Sequence, residues 1–459
     1  MVSIDARLGA IKRDPSAWLD SDRILRLCEQ NNYFPEADGK LDPPHLLGLF
    51  MQQVAAGNVP CEAVRMMGQA AGRAFSASGY CQARMRLPLE VIESITRAVG
   101  DQLSASVDDQ AAHRWHGHRV LLIDATSFSM PDKPALQAHF GQPGRQKPGC
   151  GFPVAHLLML FNARTGLAVD ALTAPHRTHE ASLAASMHER LSAGDLVLGD
   201  DSFGTYALLA ALNQRRAFGL FPLHHRRIVD FTPGRSFTES SRPLKQMPRS
   251  RWIKSLGKDD QLVEWFKPTQ RPQWMNAEQW KQIPASMIVR ELRRTIQRPG
   301  FRPITLIVAT TLLDPDAYPA DELMALRIRR WDVETDLQHL KTTMGMDVLH
   351  CKTVDGVKKE LWIFLLIYNL IRRIMIAAAE RQRVPVSRIS FASALHWLRH
   401  VQIGDALPTL AVVPHRPNRM EPRITKRRPK EYDIMTRPRR ELRETLKAKI
   451  AEEGKALTT

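Results

Sequence analysis

The sequence predicts a multidomain α/β protein in which a mixed sheet with helices is interrupted by a β-rich insertion. Between residues 119 and 223, short apolar runs alternate with helical patterns, which is typical of a mixed α/β sheet. The region before it, 1–112, carries apolar residues at helical spacing and is predicted to be a helical domain. A chain of 459 residues with 44% hydrophobic residues is long enough for several packed domains.

The central sheet is predicted from apolar runs bounded by acids and turns. Two of these runs are separated by Arg-Thr-Gly and therefore read as a hairpin of buried strands. Helices are predicted over 179–191 and 205–215. The predicted strands are 120–124, 156–163, 167–174, 195–201, 217–223 and 303–312.

Residues 224–302 interrupt this pattern with short strand-like pieces, Pro and polar turns, and are predicted to form the β-rich insertion. The sheet domain is therefore expected to comprise 113–223 and 303–385, with one long helix over 320–344 and another over 361–380. The remaining region, 386–459, is predicted to be helical with a basic tail.

The charge balance points to a polyanionic partner. The formal net charge is +17, which suits nucleic acid or an anionic membrane surface. The most apolar window, Leu361–Ile371, is far shorter than the roughly 20 residues that a bilayer requires, so no membrane is expected. Five scattered Cys residues without a CxxC pair favour a reducing cytoplasm and no zinc site.

Two acids end predicted strands, Asp124 and Asp200. Strand ends of an α/β sheet open onto the place where ligands bind, so both carboxylates are candidates for one site. The alternative is that each acid caps a turn or a helix.

The predicted helix 320–344 carries four charged residues on one narrow stripe. At about 100° per residue, Arg327, Arg330, Glu334 and Lys341 fall within about 60° of one another, at the border of the apolar face. The alternative is a surface ladder of ion pairs, with Arg330 and Glu334 as an i,i+4 pair.

Phosphoryl transfer is the chemistry that would use these groups. Three carboxylates from two strands and a helix, Asp124, Asp200 and Glu334, could hold two Mg²⁺ ions about 4 Å apart for an in-line displacement. Arg330 and Lys341 would then bind phosphates beside the metals.

Several segments together resemble the DDE transposases of the insertion sequence four family, over about residues 30–440. They are LIDATSFSMPD (122–132), QKPGCGFPVAHLLML (146–160), LVLGDDSFGTYALL (196–209) and IRRWDVETDLQHLKTTMGMDVLHCKT (328–353). The most specific feature is the family pattern Tyr-x2-Arg-x3-Glu-x6-Lys, which Arg330, Glu334 and Lys341 match in spacing.

This resemblance implies a ribonuclease-H-like catalytic core and a helical N-terminal domain that helps bind transposon ends. It implies that Asp124, Asp200 and Glu334 are the catalytic, metal-binding triad, with Mg²⁺ as the cofactor and Mn²⁺ as its substitute. Arg330 and Lys341 would contact DNA phosphates. The expected function is cut-and-paste transposition by a homodimer acting on double-stranded DNA, at the terminal inverted repeats and the target. Two alternatives are a nuclease on the same core and a DNA-binding regulator with an inactive site.

The chain departs from the family pattern at two positions. Arg327 occupies the Tyr position, so a charge contact with DNA would replace the role of that ring. Asp201 stands where relatives often have Arg, which leaves open whether Asp200 or Asp201 is the second triad acid. The spacing to Phe203 favours Asp200.

Related enzymes stack a flipped base on a Trp of the insertion. Four Trp residues of this insertion are candidates, each with the alternative that it fills the core. They are Trp252, Trp265, Trp274 and Trp280.

Overall fold

The structure is a computed structural model. It describes residues 21–34, 41–70, 72, 74–108, 114–144, 146–224, 227–237, 248–297, 303–400, 407–414 and 435–456.

The described residues contain one nine-stranded mixed sheet, whose strand order is β3-β2-β1-β4-β5-β9-β8-β7-β6. Strands β1, β4 and β5 run parallel to one another, and the remaining neighbours are antiparallel. The strands are β1 (Val120–Ser129), β2 (Val154–Asn162), β3 (Ala168–Pro175), β4 (Leu196–Leu198), β5 (Phe218–Pro222), β6 (Ser250–Gly257), β7 (Asp260–Phe266), β8 (Ser286–Ile296) and β9 (Ile304–Thr310).

Helices precede, flank and follow this sheet. They are α1 (Ser21–Gln30), α2 (Pro43–Ala55), α3 (Cys61–Ala70), α4 (Ala77–Arg86), α5 (Leu89–Asp108), α6 (Pro134–Phe140), α7 (Glu180–Met187), α8 (Tyr206–Gln214), α9 (Ala277–Gln282), α10 (Ala320–Ile328), α11 (Asp332–Gln338), α12 (Val354–Gln382), α13 (Phe391–His400) and α14 (Arg439–Ala456).

The sheet carries a hydrophobic cluster on each face. On one face, Leu122 of β1 and Leu198 of β4 belong to a cluster that includes α12 and the N-terminal helices. On the other face, Ile123 and Val197 pack with residues of α8. Successive side chains of a strand point to opposite faces of the sheet, which is why neighbouring residues of β1 and of β4 belong to different clusters.

The helix α12 lies at the centre of the larger cluster. It is long and apolar enough to span a membrane, but its most apolar window is 100% buried inside the protein, as expected of a core helix. It also anchors the N-terminal helices, because the side chain of Asn58 donates to the buried carboxylate of Glu360 at 2.5 Å. Lys359 of α12 donates to the carbonyl of Met85 at 2.8 Å.

The predicted hairpin is present as β2 and β3, and the predicted insertion contains β6, β7 and β8. These three strands extend the main sheet, because β9 pairs with β5 on one side and with β8 on the other. In the C-terminal region, α13 and α14 are described, whereas the basic stretch 415–434 lies outside the described residues.

Two predicted elements differ from the structure. The prediction of one continuous helix over 320–344 is wrong. A 3₁₀ turn separates α10 from α11, and a π turn at His339–Thr343 follows α11. The β-branched Thr342 and Thr343 weaken helix formation at this end, and Gly345 follows with a φ of +86°. Strand β1 continues to Ser129, so Asp124 lies within the strand rather than at its end.

Candidate active site

Asp124 and Asp200 meet because β1 and β4 are parallel neighbours in matching register. Leu122 pairs with Leu198, so Asp124 and Asp200 each lie two residues beyond a paired position. The period of two directs Asp124 to the same face as Leu122, the face of α12. Parallel strands lie about 4.8 Å apart, which brings both acids to one place where β4 ends.

Glu334 on α11 is linked to Asp124 by the side chain of Arg330. Arg330 donates from Nη1 to Oδ2 of Asp124 at 3.4 Å and from Nη2 to Oε1 of Glu334 at 3.1 Å. One guanidinium therefore links the first and third predicted acids. The side chain of Glu334 is 51% exposed, whereas that of Asp124 is 16% exposed, so the cluster runs from the sheet towards solvent.

The other two predicted cations lie near β1 and the acids: Lys341 contacts β1, and Arg327 lies near Asp200 and Asp124. Lys341, in the π turn, donates to Oγ1 of Thr126 on β1 at 3.0 Å. Arg327 is buried, and its Nε lacks a hydrogen-bond partner in the described residues. Burial and the charge of Arg330 lower the pKa of Arg327 to about 10, and the nearby Asp200 and Asp124 oppose this effect.

The carboxylates repel one another in a partly dry environment. Burial raises the pKa of Asp124 to about 6, against the attraction of Arg330 and the hydrogen bond from the amide of Ala125, and the charges of Asp200 and Glu334 raise it further. Burial is the largest cause of this shift, so Asp124 is a carboxylate held largely away from water.

Asp200 is held in a tight local turn. Its Oδ1 accepts from the amide of Ser202 at 2.9 Å and from the hydroxyl of Ser202 at 2.6 Å. These bonds fix the direction of the Asp200 carboxylate just after β4 ends. Sequence reasoning did not single out Ser202 or Thr126, although each lies two residues after a predicted acid, and that spacing is the signal that could have found them.

The acids form a cluster but not a ready metal cage. Within the described residues, no three His, Cys, Asp or Glu side chains lie close enough together to hold one ion. The guanidinium of Arg330 lies against both Asp124 and Glu334 instead. The donor set still fits hard divalent cations, because it consists of carboxylate oxygens.

The four insertion tryptophans lie in different environments. Trp265 is fully buried and donates from Nε1 to Glu291 at 2.9 Å, so it belongs to the core and cannot stack on a base. Trp274 and Trp280 are half-buried against the second hydrophobic cluster. Trp252 on β6 is half-buried, and its Nε1 has no partner in the described residues.

The fold and the site define a class: an α/β protein in which carboxylates from a strand, from the turn after its parallel neighbour and from a helix lie near arginine and lysine side chains. The family model for the transposase DDE domain matches residues 115–370, which contain all six of these predicted site residues. The chain belongs to the DDE transposases and, within them, to the family of insertion sequence IS4.

Two proteins of similar sequence carry transposase names. The transposase InsG for insertion sequence element IS4, from Escherichia coli strain K12, is 25% identical over 376 residues, or 77% of each chain. The putative transposase InsZ of the same strain is 31% identical over 154 residues, or 32% of this chain and 49% of that protein. A cryo-EM structure of piggyBac transposase in a synaptic complex with hairpin DNA aligns with a TM-score of 0.42 and 9% identity, over 87% of this chain and 80% of that chain.

Proposed function

We propose that this transposase excises and reinserts its element by metal-dependent phosphoryl transfer at the terminal inverted repeats. The observation that carries the proposal is the register of β1 and β4, which sets Asp124 beside Asp200, together with the Arg330 bridge that brings Glu334 to the pair. The strand order β3-β2-β1-β4-β5, with a parallel β1-β4-β5 unit, supports a ribonuclease-H-like core.

Asp124, Asp200 and Glu334 would hold the divalent ions, expected to be two Mg²⁺ with Mn²⁺ as a substitute; transposases of this domain family generally use divalent metals. Bound there, such ions would activate the attacking oxygen and stabilise the leaving one. The Ser202 bonds to Asp200 keep that carboxylate in one orientation. Asp124 and Glu334 would have to release Arg330 in order to bind a metal ion.

Arg330, Lys341 and Arg327 would bind the phosphates of the DNA strand that is cut. Arg330 is a planar fork that can exchange two carboxylates for phosphate oxygens, and Lys341 offers a point charge from the neighbouring turn. Arg327 is buried beside the acids and replaces the Tyr of the family pattern with a cation, which adds charge where a phosphate would approach.

The remaining parts of the chain would bind and align DNA. The helical domain 1–112 would contact the element ends, the insertion 224–302 would bind DNA near the cut, and the basic tail within 386–459 would add salt-dependent phosphate contacts. Two copies would bridge two element ends as a homodimer, and the freed 3′-OH would attack the target DNA.

Cleavage and strand transfer can be tested separately. With element ends and Mg²⁺, Asp124→Asn, Asp200→Asn and Glu334→Gln are each expected to abolish cleavage while leaving end binding largely intact. Joining of pre-cut ends by the wild type separates a transposase reaction from simple nuclease action. Normal cleavage by Asp200→Asn, with loss in Asp201→Asn, would move the second acid by one position.

A further inference from the structure

The helix that carries Glu334 is short and irregularly bounded. It has seven residues, a 3₁₀ turn before it and a π turn after it. So short a helix gains little stability from its own hydrogen bonds, and its position depends on tertiary contacts. Glu334 lies on its exposed side, so whatever fixes the opposite side determines where the Glu334 carboxylate lies.

Asp336 is on that opposite side. Two residues apart on a helix means about 200° of rotation, and Asp336 is 5% exposed as a residue. Its Oδ1 accepts from Nη1 of Arg372 on α12 at 3.1 Å, which makes a buried ion pair between the two helices.

Arg372 also binds the turn between β2 and β3. Its Nε and Nη2 donate to the carbonyl of Thr165 at 2.9 Å and 2.6 Å. This turn begins at Asn162, which pairs with Leu121 on β1, three residues before Asp124. One guanidinium therefore connects the Glu334 helix to the strand pair that carries Asp124.

The turn is shaped to receive this guanidinium. Gly166 has a φ of +68°, and a Cβ atom there would lie 1.8 Å from Nη2 of Arg372. Tyr368, one helical turn before Arg372, donates to the carbonyl of Gly166 at 2.8 Å. A side chain at position 166 would therefore displace Arg372 without removing any charge.

We propose that Asp336 and Arg372 are positioning residues, whose buried ion pair holds the Glu334 helix against the β2–β3 turn so that Glu334 stays beside Asp124. This inference rests on the proposed function, because it assigns the pair a role in the same carboxylate site. Both residues are buried, so in this role they act through Glu334.

Metal binding by the full-length protein without DNA tests the inference directly. Free Mn²⁺ is measured by electron paramagnetic resonance during titration of the wild type, Asp336→Asn, Gly166→Ala and Glu334→Gln. The Mn²⁺ Kd is expected to rise roughly tenfold in Asp336→Asn and in Gly166→Ala, as for other residues that orient metal ligands. Near-UV circular dichroism at the titration temperature selects the folded variants, and Gly166→Ala provides the result if Asp336→Asn does not fold.

The matched control is Asp260→Asn, which breaks a second buried ion pair, between β7 and β8. There Nε of Arg290 donates to Asp260 at 2.9 Å. Asp260→Asn is expected to lower the melting temperature without changing Mn²⁺ affinity. A weakened affinity in this control, to the extent seen in Asp336→Asn, would overturn the inference by showing a general effect of instability.

The two proposals fail in different ways. If Glu334→Gln binds Mn²⁺ as tightly as the wild type, the proposed metal site is wrong and the positioning role falls with it. If Glu334→Gln loses affinity while folded Asp336→Asn and Gly166→Ala retain it, the proposed function stands and only the positioning role is refuted.

Discussion

Replacing Asp124 by Asn is expected to stabilise the metal-free protein while it abolishes cleavage. The carboxyl has an ordinary pKa of 3.8, and burial raises the pKa of Asp124 to about 6 in the folded protein. The folded state therefore binds this proton more tightly than the unfolded chain does. As a result, ionisation of Asp124 lowers the free energy of unfolding. This loss grows between about pH 4 and about pH 6 and is complete above that range.

The size of the effect follows from the pKa difference. Each pKa unit corresponds to about 1.4 kcal/mol, so the charged Asp124 costs about 3 kcal/mol above pH 7 and about 1 kcal/mol at pH 4.5. Asn resembles the neutral acid, and its carbonyl oxygen can still accept from the amide of Ala125, which now donates to Oδ1 at 2.9 Å. Most of the stability lost through the charged carboxylate should therefore be regained in Asp124→Asn.

Urea unfolding in EDTA, at pH 7.5 and at pH 4.5, measures this difference. The gain in the free energy of unfolding should be clearly larger at the higher pH. Asp230→Asn is the control of opposite sign, because hydrogen bonds from Thr232 lower the pKa of Asp230. An Asp124→Asn variant that is no more stable than the wild type at pH 7.5, or whose gain is larger at pH 4.5, would refute the reasoning.

Three further outcomes are expected. Lys341→Ala should slow cleavage at a bound end about 10-fold or more while non-specific DNA binding, measured by fluorescence anisotropy, changes little, because Lys341 is held on β1 by Thr126; equal losses in both would mark it as a general phosphate contact. Trp265→Phe should lower the free energy of unfolding by about 1–3 kcal/mol, because Glu291 loses a buried donor; an unchanged urea midpoint would contradict this. Deleting the basic stretch 415–434 should reduce the slope of log K against log salt concentration for DNA binding. An unchanged slope would show that the Lys and Arg side chains of this stretch do not contact phosphates.

Local patterns in the sequence predicted the individual parts of the site. The apolar runs indicated β1, β4 and the β2–β3 hairpin, because a strand buried on both faces carries consecutive apolar residues in its own sequence. The spacing of Arg327, Arg330, Glu334 and Lys341 indicated one stripe, although the helix is broken. The stripe survives because the two turns that interrupt it are short and keep these side chains on the side of β1.

The sequence by itself determined which residue types are available: three acids near strands and a helix, with cations at set intervals. Only the tertiary structure decided that Asp124 and Asp200 share a register and that Arg330 spans Asp124 and Glu334. It also decided that Trp265 belongs to the core and that the back of the Glu334 helix is tied to α12. The reason is physical: periodicity describes how one segment is buried, whereas strand pairing and buried ion pairs depend on segments far apart in the chain.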